Sequence, residues 1–150
     1  MPMTAKEYLR QMPILEKRIK IKKSEIESLK ELLCSPSIRM DGEKVQSSGD
    51  YDPMASAVVK IMEEEEKLSE MVDMYMEARR IVTGQILSLD TNQYADVLYC
   101  KYVTGMTFQK MEEVIGYCKR QLIRYHGYAL LEFEKKHKDE YRDFLSQNET

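Results

Sequence analysis

Early in the chain, apolar side chains recur in alternating steps of four and three. Tyr8, Met12, Leu15, Ile19, Ile26, Leu29 and Leu33 follow this spacing, and Lys22 fills the one position between Ile19 and Ile26. Such a 4-3 alternation predicts a coiled-coil seam along one helix. Thr4 and Glu7 ahead of it form a capping-box pattern, in which each side chain satisfies the other's free amide. Pro13 falls inside the seam, where it is expected to kink or loosen the first turns. A second seam runs through Met54, Val58, Ile61, Glu65, Leu68, Val72, Tyr75, Arg79, Val82, Ile86 and Leu89. Asp52-Pro53 reads as its N-cap and first helical residue.

Between the seams, residues 35–52 hold Pro, Gly, Ser and Asp without periodicity, which predicts a flexible loop. The expected architecture of residues 1–90 is therefore a long antiparallel coiled-coil hairpin. Folding Leu33 against Met54 puts the one seam lysine, Lys22, beside the one seam glutamate, Glu65. A polar pair in a seam fixes alignment, although both side chains could also reach outward without touching.

The pattern changes after residue 90. Residues 91–138 predict a three-helix module. Its first helix covers about 92–103, with Tyr94, Val97, Leu98 and Tyr102 inward. Thr107 caps a short second helix through about Val114. Ile115-Gly116-Tyr117 makes a tight turn, and a longer helix covers 118–137. The polar tail, 139–150, is expected to fray. The predicted fold class is all-α.

Charge sharpens this picture. The net charge of −3 argues weakly against nucleic acid, but its distribution is uneven. Residues 50–90 carry four cations and ten acids, while residues 99–138 carry eight cations and four acids. Projected at 100° per residue, the 118–137 helix clusters Leu122, Tyr125, Ala129 and Phe133 on one side, with Cys118 near them. Arg120, Arg124 and Gly127 cluster opposite, flanked by Gln121 and Tyr128. A short helix, a glycine turn and a basic helix make a helix-turn-helix pattern, whose second helix packs with one face and enters the major groove with the other. Arg suits guanine O6 and N7, and Gln suits adenine N6 and N7. Lys119, beside the free amides of the first turn, suits phosphate, and Tyr128 could also touch phosphate. A solvated basic face on a structural helix is the plainer alternative.

The stretch MTFQKMEEVIGYCKRQLIRYHGYALLEF, residues 106–133, resembles region 4 of bacterial sigma-70 factors. Thr107 matches the threonine cap, Gly116 the turn glycine, and Ala129-Leu130 the Ala-Leu pair. The whole chain is similar to small sigma-70 region 4-like regulators of prophages, of the ArpU/RinA-like kind. The resemblance implies a phage transcriptional regulator that binds double-stranded DNA. In it Lys119, Arg120, Gln121 and Arg124 take the DNA-contact positions, with Thr107 and Lys101 as phosphate neighbours. Two residues depart from the family: Cys118 stands in place of the usual serine or threonine cap, and Ile123 stands where a cation is common.

Other chemistry is thin. The three cysteines, Cys34, Cys100 and Cys118, form no CxxC and no Cys/His cluster, so they read as ordinary buried thiols. His126 and His137 are too far apart to chelate a metal on one helical face. No acid–His–nucleophile set and no phosphate-binding glycine loop is visible in the sequence. The expectations are a non-enzyme without cofactor or metal, in the cytoplasm and off the membrane. RNA polymerase is a candidate partner of the hairpin, and a homo-oligomer, with the dimer favoured, is expected. A phage DNA-packaging subunit (small terminase-like), another oligomeric assembly subunit, and a helical adaptor that binds no DNA remain alternatives.

Overall fold

The structure, a computed structural model, describes residues 2–34 and 52–146. The described chain is helical throughout, without a strand among the described residues. The helices are α1 (Ala5–Leu33), α2 (Pro53–Leu87), α3 (Asn92–Leu98), α4 (Phe108–Ile115) and α5 (Lys119–His137). A π-helical turn, Tyr99–Val103, extends α3, and a 3-10 turn, Lys138–Glu140, follows α5. No described helix is long and apolar enough to cross a membrane. The expected loop lies almost entirely outside the described residues.

The helix starts follow local chemistry. Thr4 and Glu7 exchange backbone-to-side-chain bonds of 3.2 Å each, completing the capping box. The Asp52 carboxylate accepts the Met54 amide at 3.0 Å. Helix α1 runs through Pro13 without interruption.

The described chain forms two compact units, Met1–Glu16 with Met74–Thr150, and Lys17–Asp73. The expected boundary at residue 90 falls inside the first of these. In the Lys17–Asp73 unit, Ile19, Ile26 and Ile61 are buried. The seam lysine finds a different partner from the one expected. Lys22 bonds the buried Glu64 at 2.6 Å, while Glu65 is exposed and pairs with Lys30 at 2.8 Å. The hydrogen bond to Lys22, with a further one from Lys67, holds the Glu64 carboxyl below the usual range.

The cause is a phase ambiguity. From Ile61, steps of three and of four both stay on one face of a 3.6-residue helix. The structure buries Glu64 and Ala78 where the expected phase had Glu65 and Arg79, and it leaves Met54 and Val58 exposed. Replacing Lys22 by Leu should therefore lower the melting temperature by leaving the buried Glu64 carboxylate short of its main partner. Adding Glu64→Leu should restore or raise it, because an apolar pair can replace a buried ion pair. Lys22→Leu combined with Glu65→Leu should not recover. Equal melting of all three variants would contradict the pairing.

The larger unit is built on Tyr8, which is fully buried. Its ring stacks on Tyr141 at 4.5 Å and lies 6.0 Å from Phe133, and its hydroxyl donates to Gln85 at 2.7 Å. The segment after residue 138 was expected to fray, but its described part is docked. Phe144 is buried, its amide donates to Gln11 Oε1 at 2.7 Å, and Gln11 Nε2 donates to the Arg142 carbonyl at 2.9 Å. A buried amide side chain that supplies both a donor and an acceptor satisfies backbone groups which would otherwise be costly to bury. Two aromatic residues, Tyr141 and Phe144, thus override the polar composition of this segment.

Candidate functional site

Helix α5 belongs to two cores at once. Near its start, Leu122 packs with Val97 and Met111 in a cluster bordered by Phe108, Ile115, Tyr117 and Tyr125. Near its end, Phe133 lies against Tyr8, Tyr141 and His137. Leu122, Ala129, Phe133 and His137 are buried, so one face of α5 is used from end to end. Further clips tie its last turns to the end of α2. Lys136 donates to the Ser88 carbonyl and pairs with Asp90, and the Thr91 hydroxyl donates to Glu132 at 3.2 Å.

The opposite face is open. Lys119, Arg120, Ile123, Arg124, Gly127, Tyr128 and Leu131 are all exposed, and Gln121 is half-buried. Neither the Arg120 nor the Arg124 guanidinium makes a hydrogen bond or ion pair among the described residues. On the helical wheel these two arginines, Gly127 and Leu131 fall within about 60° of one another. A Cβ added at Gly127 would meet nothing within 4 Å, so internal packing does not demand glycine there. Tyr128 borders the stripe, its ring 6.3 Å from that of Tyr94.

The turn before α5 forms as expected. Gly116 takes φ 91°, a left-handed conformation that favours glycine, and caps α4. The Thr107 hydroxyl accepts the Lys110 amide at 3.1 Å, which leaves its own hydrogen free to donate outward. Cys118 is the N-cap of α5 and makes no side-chain cap bond. Its place is taken by Glu112 of α4, whose carboxylate accepts the Lys119 amide. The expectation that Lys119 acts beside free first-turn amides is corrected to that extent: its own amide is occupied, with a negative charge next to it.

Lys101 and Thr107 stand apart from the α5 stripe. The Lys101 ammonium lies over the Phe108 ring, 4.6 Å from its centre, and is half-buried rather than free. Phe108 in turn packs edge-on against His126 at 5.6 Å, which places Lys101 toward the flank of α5 opposite Tyr128. The expected burial of the thiols also fails. Cys34 and Cys118 are exposed, and Cys100 is half-buried, with burial raising its pKa. Cys34 follows the last residue of α1, and Cys118 is a cap position, which lies outside the helix it caps.

Two histidines are structural. His126 Nε2 lies 2.6 Å from the Tyr102 hydroxyl. Burial pushes Tyr102 up to about 12, so the phenol donates and the ring nitrogen accepts. Burial, with repulsion from Lys101 and Lys6, pushes His126 down to about 4. An unfolded histidine takes a proton near pH 6.5. Between about pH 6.5 and 4 the unfolded state therefore binds more protons, and stability falls as the pH falls. His126→Gln, which cannot titrate, should remove that part of the pH dependence in thermal melts, and an unchanged profile would contradict the buried neutral state.

His137 joins a hydrogen-bonded line that the sequence pattern does not announce, because Ser88 lies 49 residues before it. Its Nε2 lies 2.8 Å from Ser88 Oγ and its Nδ1 lies 2.8 Å from Glu140. The line resembles a nucleophilic triad in outline only. The Ser88 hydroxyl donates to the Gln85 carbonyl at 2.7 Å, so its hydrogen is not offered to the imidazole. We read it as a clip between the end of α2 and the end of α5. Among the described residues, no group of three or more His, Cys, Asp or Glu side chains is placed to hold a metal ion.

No family model, curated protein or solved structure matches the chain.

Proposed function

We propose that the protein is a DNA-binding transcriptional regulator of phage type, in which α4, the Gly116 turn and α5 act as a helix-turn-helix and α5 lies in the major groove. The observation that carries this reading is the division of α5 into two faces. One face is buried in two cores. The other presents Arg120 and Arg124 without partners among the described residues, beside a glycine with open space around it. Guanidinium forks free of protein partners are suited to guanine edges, and a helix fixed at both ends can hold them in register. Gln121 and Tyr128 flank the readers, and Lys119, Thr107 and Lys101 supply phosphate contacts. The resemblance of residues 106–133 to sigma-70 region 4 supports the same reading and suggests RNA polymerase as a partner. On this reading residues 1–90 are an antiparallel coiled-coil hairpin that carries self-association, the protein acts in the cytoplasm, and it performs no catalysis.

One observation favours a second reading, an oligomeric DNA-packaging or assembly subunit. The Lys17–Asp73 unit exposes Ile21, Leu32, Val59 and Met62 as well as Met54 and Val58, apolar side chains that self-association would cover. Particle mass in solution separates the two: a dimer fits the regulator, and a ring of eight or more subunits fits packaging.

Gly127 provides the test of the groove. Ala in its place should stabilise α5 by up to about 1 kcal/mol, since glycine is the poorer helix former and the site is open. The same methyl group should weaken DNA binding if the backbone approaches a groove floor there. Stability and affinity moving in opposite directions, read by denaturation and by fluorescence anisotropy at fixed salt, is the expected result. Unchanged affinity would remove the close approach.

A further inference from the structure

Ile123 is hard to account for as part of a folded monomer. It lies on the open face of α5, one turn beyond Arg120 and one turn before Gly127, and 48% of its surface is exposed. It belongs to neither core that holds the helix. Its shape does not favour the helix either, because β-branched residues lose side-chain freedom against the preceding turn. On the wheel it sits about 60° from Arg120, on the side away from Arg124, so the two arginines and the isoleucine form one contiguous patch. Leu131 is also exposed, at 65%, but it lies two turns further along, beyond the N-terminal part of a groove helix that reaches base edges.

We propose that Ile123 reads the C5-methyl group of a thymine in the major groove. This rests on α5 being the groove helix, and it adds a base to the site that the two arginines define. Thymine alone among the four DNA bases presents a methyl group on that edge, and apolar side chains recognise it by contact. A stiff side chain suits the task, since its methyl groups are already held in one rotamer and little freedom is lost on contact. Gly127, one turn later, leaves no side chain to hold the helix away from the groove floor. The site therefore has one apolar reader beside its cationic readers, and its preferred sequence places a thymine near the guanines.

The test uses the full chain. Bound sequences are first selected from a random duplex pool at fixed salt. Each thymine of the selected site is then replaced singly by deoxyuridine, which keeps the pairing edge and lacks only the methyl group. The wild-type protein should bind one of these duplexes about fourfold more weakly, the size expected for one buried methyl group, and the others unchanged. Ile123→Ala should bind that thymine duplex and its uracil counterpart alike, while melting as the wild type does. Uracil that is neutral at every position, or a penalty that persists in Ile123→Ala, overturns the thymine reading and leaves the groove reading of α5 standing. Failure to select any sequence overturns both.

Discussion

Replacing Phe133 by Ala is expected to lower the unfolding free energy by about 3–5 kcal/mol, the range for losing a buried aromatic side chain. The ring is completely buried and lies within 6.1 Å of the rings of Tyr8, Tyr141 and His137. Two of these neighbours cannot easily move into the space, because each is held by another bond: Tyr8 by Gln85 and His137 by Ser88 and Glu140. Leu131, two residues earlier on the same helix but exposed, should tolerate Ala within about 0.5 kcal/mol. Urea denaturation of the two variants compares a core contact with a surface one on a single element. A loss below about 1 kcal/mol for Phe133→Ala would mean that the last turns of α5 are not docked.

The helix ends were legible in the sequence because capping is local. Thr4 with Glu7, Asp52, Thr107 and Gly116 all act within four residues of their own positions. The two faces of α5 were legible for the same reason, since they follow from arithmetic along one helix. What failed was non-local or degenerate. Glu64 and Glu65 are adjacent, and periodicity alone does not say which turns inward. Glu112 caps α5 from another helix, seven residues away across a turn. Gln11 clamps a segment 133 residues distant, and nothing in the composition of that segment announces it. Tyr141 and Phe144 were the available signal, two aromatic residues in an otherwise polar tail.

The candidate site divides in the same way. Arg120, Gln121, Arg124 and Tyr128 fall where the wheel puts them. Lys101 does not stand free, because Phe108, seven residues later in the chain, turns its ring under the ammonium. Ile123 was visible as a departure from the sigma pattern, but its exposure beside the arginines needed coordinates. An isoleucine in a helix reads by default as a packing residue.

Arg120→Ala and Arg124→Ala carry the largest expected effects on recognition. Each guanidinium is exposed and without a partner among the described residues, so its removal should leave the fold intact and change only what α5 meets outside. Each variant should lose about 1–3 kcal/mol at one base pair, and at a different base pair from the other. Lys119→Ala should instead weaken all sequences similarly and flatten the salt dependence, as a phosphate contact does. Random-sequence selection of the wild-type, Arg120→Ala and Arg124→Ala proteins at one stated salt concentration is the most direct test. The account predicts an enriched motif for the wild type and relaxed preference at one distinct position in each variant. The same motif recovered from all three proteins, or none from the wild type, would contradict it.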